Sequence, residues 1–165
     1  NPTVVGYVGT IGEWFDWALV VQMAIQNPQR LFRLIGPVFQ PSPFRLPDNV
    51  ELKGACAHDV AIEEMLQFSV ALIPFKLNEL TQSVDPIKYY EYRALGIPIV
   101  STKFGEMLEH ARHGGVTLIS DLEDYAACID VALKQNMSDE AIKLFRSENS
   151  WENRFNQLQF YESSR

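Results

Sequence analysis

The stretch VDPIKYYEYRALGIPIVST, residues 84–102, decides the fold. Asp85 is expected to cap the start of a helix, and Pro86 suits the first helical position because its missing N–H is not needed there. Gly96 suits the left-handed residue just past the helix end, and residues 97–100 are predicted to form a short buried strand. A loop, a short helix and a strand in immediate succession are typical of an α/β sheet.

Two charged residues one turn apart, Lys88 and Glu91, lie inside this predicted helix. Lys88 is in the first turn, where the helix macrodipole already presents about half a positive charge and disfavours a cation. A lysine in that position is less unfavourable if an anion also binds at the helix start. Helix N-termini bind phosphate readily because several of their N–H groups have no partner within the helix.

Composition and charge narrow the class of protein. The 165 residues suffice for one domain with its own core, and the formal net charge of −7 argues against nucleic acid or an anionic membrane as partner. A phosphorylated small ligand remains compatible with that charge, since its site needs only local amides and one or two basic groups. Cys56 and Cys128 are too few for a disulfide framework, which predicts a reducing, cytoplasmic location. No apolar run approaches the ~20 residues that span a bilayer.

Strand and helix patterns alternate along the chain. Strands are predicted at 3–8, 31–35, 50–53, 70–75, 97–100 and 116–119, and helices at 14–26, 59–68, 86–95, 105–112, 121–135, 138–147 and 150–162. Loops are predicted at 37–47 and 76–83. The alternation implies an α/β protein with a parallel sheet of about six strands and helices on both faces. The chain opens at Asn1, almost directly on a strand, so we expect it to be a piece of a longer protein.

The pattern Pro-x-Lys-x-x-Glu-Tyr-x-Ala-x-Gly-x-Pro-Ile-Val, residues 86–100, resembles the donor-binding signature of GT-B glycosyltransferases. That signature belongs to their C-terminal nucleotide-sugar domain. Further segments are similar to other parts of the same domain: residues 4–11 to its first strand and glycine loop, 34–37 and 49–54 to its second and third strands, 70–75 to its fourth strand, and 150–152 to the start of its closing helix. The resemblance covers most of residues 4–160 in the right order. It implies a Rossmann-like three-layer α/β/α sandwich.

The resemblance also implies roles for individual residues. Glu91 would accept hydrogen bonds from the ribose hydroxyls of a nucleotide, Lys88 would contact the diphosphate, and Gly9 would lie in the glycine loop. Many family members carry a second glutamate eight positions before the first, where this chain has Ser83. The glutamate pair is therefore incomplete. The backbone N–H groups of Ser83 and Val84 are expected to donate hydrogen bonds to phosphate instead.

Basic residues near the first strand depart from the family pattern. Many members place an Arg and a Lys shortly after that strand, but no basic residue precedes Arg30 here. Their role is either vacant or passes to Lys76 and Lys88. The glycine spacing at 6, 9 and 12 is not a dinucleotide fingerprint, and no acidic residue follows the second strand, which argues against an NAD enzyme. His58, His110 and His113 show no metal-ligand spacing with the cysteines, and we expect neither a metal nor a cofactor.

These observations predict one domain over residues 1–165, the C-terminal half of a two-domain enzyme whose N-terminal acceptor domain is absent. The intact enzyme would transfer a sugar from a nucleotide-sugar donor, in the manner of polysaccharide biosynthesis, and this piece alone would be inactive. No catalytic base or nucleophile is recognisable, and any peripheral membrane association would come from the missing parts. One alternative is a non-catalytic nucleotide-binding or scaffolding domain. Another is a different nucleotide-binding enzyme, such as an epimerase of similar architecture.

Overall fold

A single parallel sheet organises the computed structural model, which describes residues 2–119 and 124–150. Its six strands are β1 (Val4–Val8), β2 (Leu31–Ile35), β3 (Val50–Gly54), β4 (Val70–Ile73), β5 (Ile99–Ser101) and β6 (Val116–Leu118). They are hydrogen-bonded in the order β3-β2-β1-β4-β5-β6. The parallel sheet predicted from the alternation of elements is confirmed.

The helices connect successive strands and cover the sheet. They are α1 (Trp17–Gln26), α2 (His58–Met65), α3 (Glu79–Gln82), α4 (Ile87–Ala94), α5 (Met107–Arg112), α6 (Tyr125–Leu133) and α7 (Asp139–Glu148). Buried residues of α1 and α6 belong to one hydrophobic cluster, and those of α2, α4 and α5 belong to another. The Rossmann-like three-layer sandwich is therefore confirmed.

Alternation along β1 shows how the sheet separates these two clusters. Val5 and Tyr7 point into the core shared with α1 and α6, whereas Val4 and Val8 point into the core under α2 and α4. Successive side chains of a strand face opposite sides, so a central strand that is buried on both faces is apolar throughout. Position 6 of β1 is a glycine because any side chain would clash there: a Cβ would lie 2.3 Å from the ring of Phe68.

The strand order places a topological switch between β1 and β4, from which the chain proceeds outward in both directions. Open α/β sheets take their ligands beside this switch, outside the carboxyl ends of the strands. Beside the end of β4, two backbone hydrogen bonds join the loop after β1 to the loop after β4 and cover that part of the edge. The N–H of Asp16 donates to the Pro74 carbonyl at 2.8 Å, and the N–H of Lys76 donates to the Trp14 carbonyl at 2.8 Å. The accessible edge therefore lies toward β1, β2 and β3.

The signature helix begins one residue later than the sequence predicts. Pro86 is in the N-cap position of α4, and α4 has no side-chain cap. The prediction that Asp85 caps this helix is wrong, because its carboxylate binds elsewhere: Oδ1 lies 2.8 Å from His110 Nε2, and Oδ2 accepts from the Tyr90 hydroxyl at 2.7 Å. Gly96 has a φ of +73°, so the predicted left-handed residue at the helix end is confirmed.

Other boundaries also differ from expectation. α1 begins at Trp17 rather than at residue 14, because Asp16 caps it by accepting from the N–H of Leu19. The segment 76–83 is not a plain loop but contains α3, whose start is closed by a reciprocal capping box between Asn78 and Thr81. Residues 37–47 form no helix or strand, as predicted. Asp121 and the predicted helix at 150–162 lie outside the described residues, apart from Ser150.

The carboxyl ends of β1 and β2 approach so closely that only glycine fits at position 36. A Cβ on Gly36 would lie 2.0 Å from the Gly9 carbonyl oxygen, at a φ of +140°. We expect Gly36→Ala to lower the free energy of unfolding by about 2–4 kcal/mol, since steric overlap adds to backbone strain. Gly54→Ala is the matched control, because a Cβ there meets nothing within 4 Å at a φ of +68°. It should cost about 1–2 kcal/mol. Equal losses in urea unfolding would contradict the close approach.

Candidate functional site

A pocket of about 260 Å³ opens at the carboxyl ends of β1, β2 and β3. Two helices, α2 and α4, begin at its rim. Its lining combines strand ends with these helix starts: Val8, Gly9, Thr10, Ile35, Gly36, Pro37, Ala55, Cys56, His58, Ala61 and Lys88. The pocket is at the edge of the sheet where this strand order takes ligands.

Backbone hydrogen bonds between successive strand ends build the floor of this pocket. The N–H of Gly9 donates to the Ile35 carbonyl at 2.9 Å, and the N–H of Gly36 donates to the Gly54 carbonyl at 2.7 Å. Each of the three strands thus ends at, or is followed directly by, a glycine. Gly9 and Gly36 line the pocket, and without side chains there a ligand can approach the backbone closely.

Two uncapped helix starts face the pocket. α2 has Ala57 as its N-cap residue and α4 has Pro86, and neither receives a side-chain hydrogen bond. The first N–H groups of a helix carry the positive end of its dipole, and a helix without a side-chain cap leaves them available to a ligand. His58, at the start of α2, and Lys88, in the first turn of α4, line the pocket beside these ends. The site is therefore electrostatically suited to an anion.

Lys88 and Glu91 form an ion pair between Lys88 Nζ and Glu91 Oε2, three residues apart on α4. About a quarter of each side chain is exposed, at 27% and 28%. The lysine therefore has a partner within the chain, and its position against the macrodipole does not by itself require an outside anion. The pair keeps a carboxylate next to the lysine that lines the pocket.

Tyr92 fixes this wall to the sheet. The N–H of Val8, the last residue of β1, donates to the Tyr92 hydroxyl at 2.9 Å. Tyr92 is fully buried, and burial raises the pKa of its hydroxyl well above the ordinary value, so the group stays neutral. Because Tyr92 directly follows Glu91, this bond sets how close the Lys88–Glu91 pair lies to the end of β1.

The loop after β1 is shaped by a second buried tyrosine. Tyr7 donates from its hydroxyl to the Thr10 carbonyl at 2.9 Å. Burial raises the pKa of this hydroxyl as well, so it remains a donor. A Cβ on Gly9 would lie 2.8 Å from the same hydroxyl oxygen. The bond therefore holds the glycine loop at the pocket and leaves no room for a side chain at position 9.

Of the six residues predicted for the site, Gly9 and Lys88 line the pocket, and Glu91 is paired with Lys88 without lining it. The remaining three, Lys76, Ser83 and Val84, follow β4 and do not line this pocket. Lys76 is exposed. The N–H groups of Ser83 and Val84 both point to the Thr81 carbonyl, so in this conformation they are engaged in the turn after α3. The phosphate contact expected from their amides stays a prediction.

Three side chains of the pocket that carry a polar atom or a thiol are not among the predicted site residues: those of Thr10, Cys56 and His58. The sequence contained a signal for them, because each follows the end of a strand and ligands of open α/β sheets bind at such ends. In the sequence analysis, Cys56 is treated only as a disulfide or metal-binding residue and His58 only as a metal ligand. Within residues 2–119 and 124–150, no group of three His, Cys, Asp or Glu side chains is arranged to hold a metal ion. The same residues contain no helix long and apolar enough to cross a membrane.

Known proteins share part of this sequence and this fold. No family model matches the sequence. The Bacillus subtilis protein named "Putative teichuronic acid biosynthesis glycosyltransferase TuaH" is 30% identical over 105 residues, which make up 60% of this chain and 26% of that protein. HepE from Anabaena, crystallised with UDP and glucose, superimposes with a TM-score of 0.74 at 19% identity, covering 100% of this chain and 49% of HepE.

Sucrose-phosphate synthase from Thermosynechococcus elongatus superimposes with a TM-score of 0.76 at 18% identity, covering 99% of this chain and 45% of that one. The chain therefore has the fold of about one half of these solved glycosyltransferase structures. The fold that the resemblance implied is confirmed, and the curated relative that the sequence matches is itself named as a glycosyltransferase. The chain spans about a quarter of the curated relative and about half the length of these solved structures.

The bond between Val8 and Tyr92 can be tested by removing one oxygen. We expect Tyr92→Phe to lower the free energy of unfolding by about 1–3 kcal/mol, because the buried Val8 N–H loses its acceptor. The control is Tyr90→Phe, whose hydroxyl donates to Asp85 near the surface and which should cost less than about 1 kcal/mol. Chemical denaturation measures both. A Tyr92→Phe protein as stable as the parent would show that this bond does not anchor α4.

Proposed function

We propose that this chain is the nucleotide-sugar-binding half of a glycosyltransferase. The observation that carries the proposal is that the glycine loop and Lys88, which is paired with Glu91, lie at one pocket. These two elements come from distant parts of the chain, and both belong to the segments that resemble the donor-binding domain. The intact enzyme would transfer a sugar from its nucleotide donor to an acceptor held mainly by a second, N-terminal domain.

The proposed donor lies with its diphosphate at the start of α4 and its ribose beside Glu91. Lys88 Nζ and the first N–H groups of α4 supply positive charge to the phosphates. The Glu91 carboxylate is an acceptor only, and it is suited to two ribose hydroxyls. Charge that develops on the departing diphosphate is stabilised by the same groups, which act electrostatically and need no proton transfer.

The glycine-lined floor fits this arrangement. Gly9 and Gly36 let the phosphates approach the backbone, and the start of α2 adds a second positive helix end. A pocket of about 260 Å³ is smaller than the 300–1,000 Å³ common for ligand sites, as expected for a cleft whose opposite wall belongs to another domain. We further propose that the protein works in a reducing, cytoplasmic compartment, where its exposed Cys56 thiol would stay unpaired.

A second candidate is a nucleotide-binding or scaffolding domain without transfer activity. One specific observation favours it: Ser83 stands where many relatives of this type carry the sugar-proximal glutamate, and its amide is engaged in the turn at Thr81. Such a domain would still bind nucleotide through Lys88 and Glu91. Donor turnover by the full-length protein distinguishes the two, since the scaffolding domain would show none.

We expect Glu91→Ala to weaken the binding of both uridine and UDP by about 1.5–3 kcal/mol, because hydrogen bonds from the ribose to a charged acceptor are lost. UDP is a suitable probe because it was crystallised with HepE. The matched control is Glu109→Ala, which breaks the same i,i+3 pairing with Arg112 on α5, outside the pocket. Calorimetry that gives equal nucleotide affinity for Glu91→Ala and the parent would remove Glu91 from the site.

Lys88 should act on phosphate charge alone. We expect Lys88→Met to weaken UDP binding strongly while uridine binding changes little, and the difference between the two ligands should shrink as salt increases. Methionine retains most of the aliphatic stem, so the packing of α4 is preserved. An equal loss for UDP and uridine would indicate damage to the helix rather than a lost phosphate contact.

We expect the 165-residue chain to bind UDP weakly, with a dissociation constant of about 0.1–1 mM, and to transfer no sugar. An open half-site leaves the reacting end of the donor in water and lacks the positioning that closure by a second domain supplies. Titration followed by NMR measures the first part, and product analysis with UDP-sugars measures the second. Sugar transfer by this chain alone would overturn the half-enzyme proposal. The absence of any spectral change at several millimolar UDP would exclude the proposed nucleotide site.

A further inference from the structure

His58 is an ionisable side chain of the pocket at the strand ends that the proposed contacts of Lys88 and Glu91 leave unused. The ionisable side chains among the lining residues are those of Cys56, His58 and Lys88. Lys88 is paired with Glu91, whereas the hydrogen bonds and ion pairs of the described residues include none to the exposed imidazole of His58. The ring is therefore accessible to a ligand that fills the pocket.

The local backbone brings His58 to the rim of the pocket. Ala57 is extended, with a φ of −65° and a ψ of 155°, and it is the N-cap residue of α2. Its carbonyl accepts from the N–H of Ala61 at 2.9 Å, which is the first hydrogen bond of the helix. His58 is thus the first residue of a helix without a side-chain cap. A negatively charged ligand group is favourable beside such a helix start, and the imidazole is placed to contact the same group.

The charged groups around this ring do not by themselves balance a nucleotide-sugar. A diphosphate that links a nucleoside to a sugar carries two negative charges. Lys88, on α4, supplies one positive charge and shares it with Glu91. On α2, Asp59 adds a negative charge in the first turn without lining the pocket, and Cys56 is uncharged while its thiol is protonated. The side chains at the pocket thus offer less positive charge than the diphosphate requires, unless His58 is protonated.

We propose that His58 binds the diphosphate of the donor in its protonated, imidazolium form and makes donor binding tighter as the pH falls. This inference rests on the proposed function, because it concerns the same pocket and the same ligand. The imidazolium N–H donates to a phosphate oxygen, as Lys88 Nζ does from α4, so the diphosphate lies between the starts of two helices. His58 is a binding residue here and takes no part in proton transfer.

The direction of the pH dependence follows from linkage between the proton and the ligand. A histidine side chain ordinarily titrates at about pH 6.5, so its charge changes within the physiological range. The negative charges of the diphosphate favour the protonated ring. The coupling is reciprocal, so protonation of the ring favours diphosphate binding to the same extent. The extra affinity is therefore largest below about pH 6 and is lost as the pH rises toward about pH 7.5.

The test is an NMR titration of the 165-residue chain with UDP-glucose at pH 6.0 and pH 7.5. UDP-glucose was crystallised with HepE, and its diphosphate, unlike the terminal phosphate of UDP, has no proton that titrates in this range. We expect the parent protein to bind UDP-glucose at least about threefold more tightly at pH 6.0 than at pH 7.5. Uridine affinity should not depend on pH. The midpoint of the His58 ring titration should rise when UDP-glucose is added.

Two variants assign the pH dependence to one ring. His58→Gln keeps a polar side chain but removes the titrating group, so its affinity for UDP-glucose should be nearly the same at both pH values. His113→Gln is the matched control and should keep the pH dependence of the parent, because that ring is exposed at the end of α5, outside the pocket.

The outcomes separate this inference from the proposed function. Equal pH dependence in the parent and His58→Gln, or no pH dependence in the parent, would overturn the role of His58 and leave the nucleotide site in place. The absence of UDP-glucose binding at both pH values would instead contradict the proposed function, and the role of His58 with it.

Discussion

The hydrogen bond from the Val8 amide to the buried Tyr92 hydroxyl connects the central strand to the helix that carries the signature. An amide at the end of a strand has no further ladder partner and must find an acceptor, or its burial costs free energy. Here the acceptor is the residue next to Glu91. The need to satisfy one backbone N–H thus determines where the helix lies, and with it the position of the Lys88–Glu91 pair.

The electrostatics of the site depend on local groups rather than on the whole chain. The protein carries a formal charge of −7, yet two uncapped helix starts, a lysine and two glycines lie at the pocket. The ion pair of Lys88 with Glu91 removes the apparent conflict between the lysine and the helix dipole. It also means that a phosphate ligand would have to share Lys88 with Glu91, so the two residues are expected to respond to binding together.

Much of the fold could be predicted because its patterns are local. Residues 31–35 form a strand as predicted, and Gly96 has the expected positive φ, since both depend on near neighbours in the chain. The N-cap at Asp85 was wrong for a reason the sequence does not contain: a histidine 25 residues away competes for its carboxylate. The short helix at 79–82 was missed because its capping box uses Asn78 and Thr81, a weaker pattern than the usual pair with glutamate or glutamine.

The sequence by itself determined the order of strands and helices, the helix that carries Lys88 and Glu91, and the glycines at the strand ends. These follow from periodicity and backbone preference, which act over a few residues. Only the tertiary structure decided which strand ends and helix starts lie together at the pocket. It placed Cys56 and His58 beside Lys88 in one pocket and directed the amides of Ser83 and Val84 to the Thr81 carbonyl. Such juxtapositions depend on packing between elements distant in sequence, which no local pattern records.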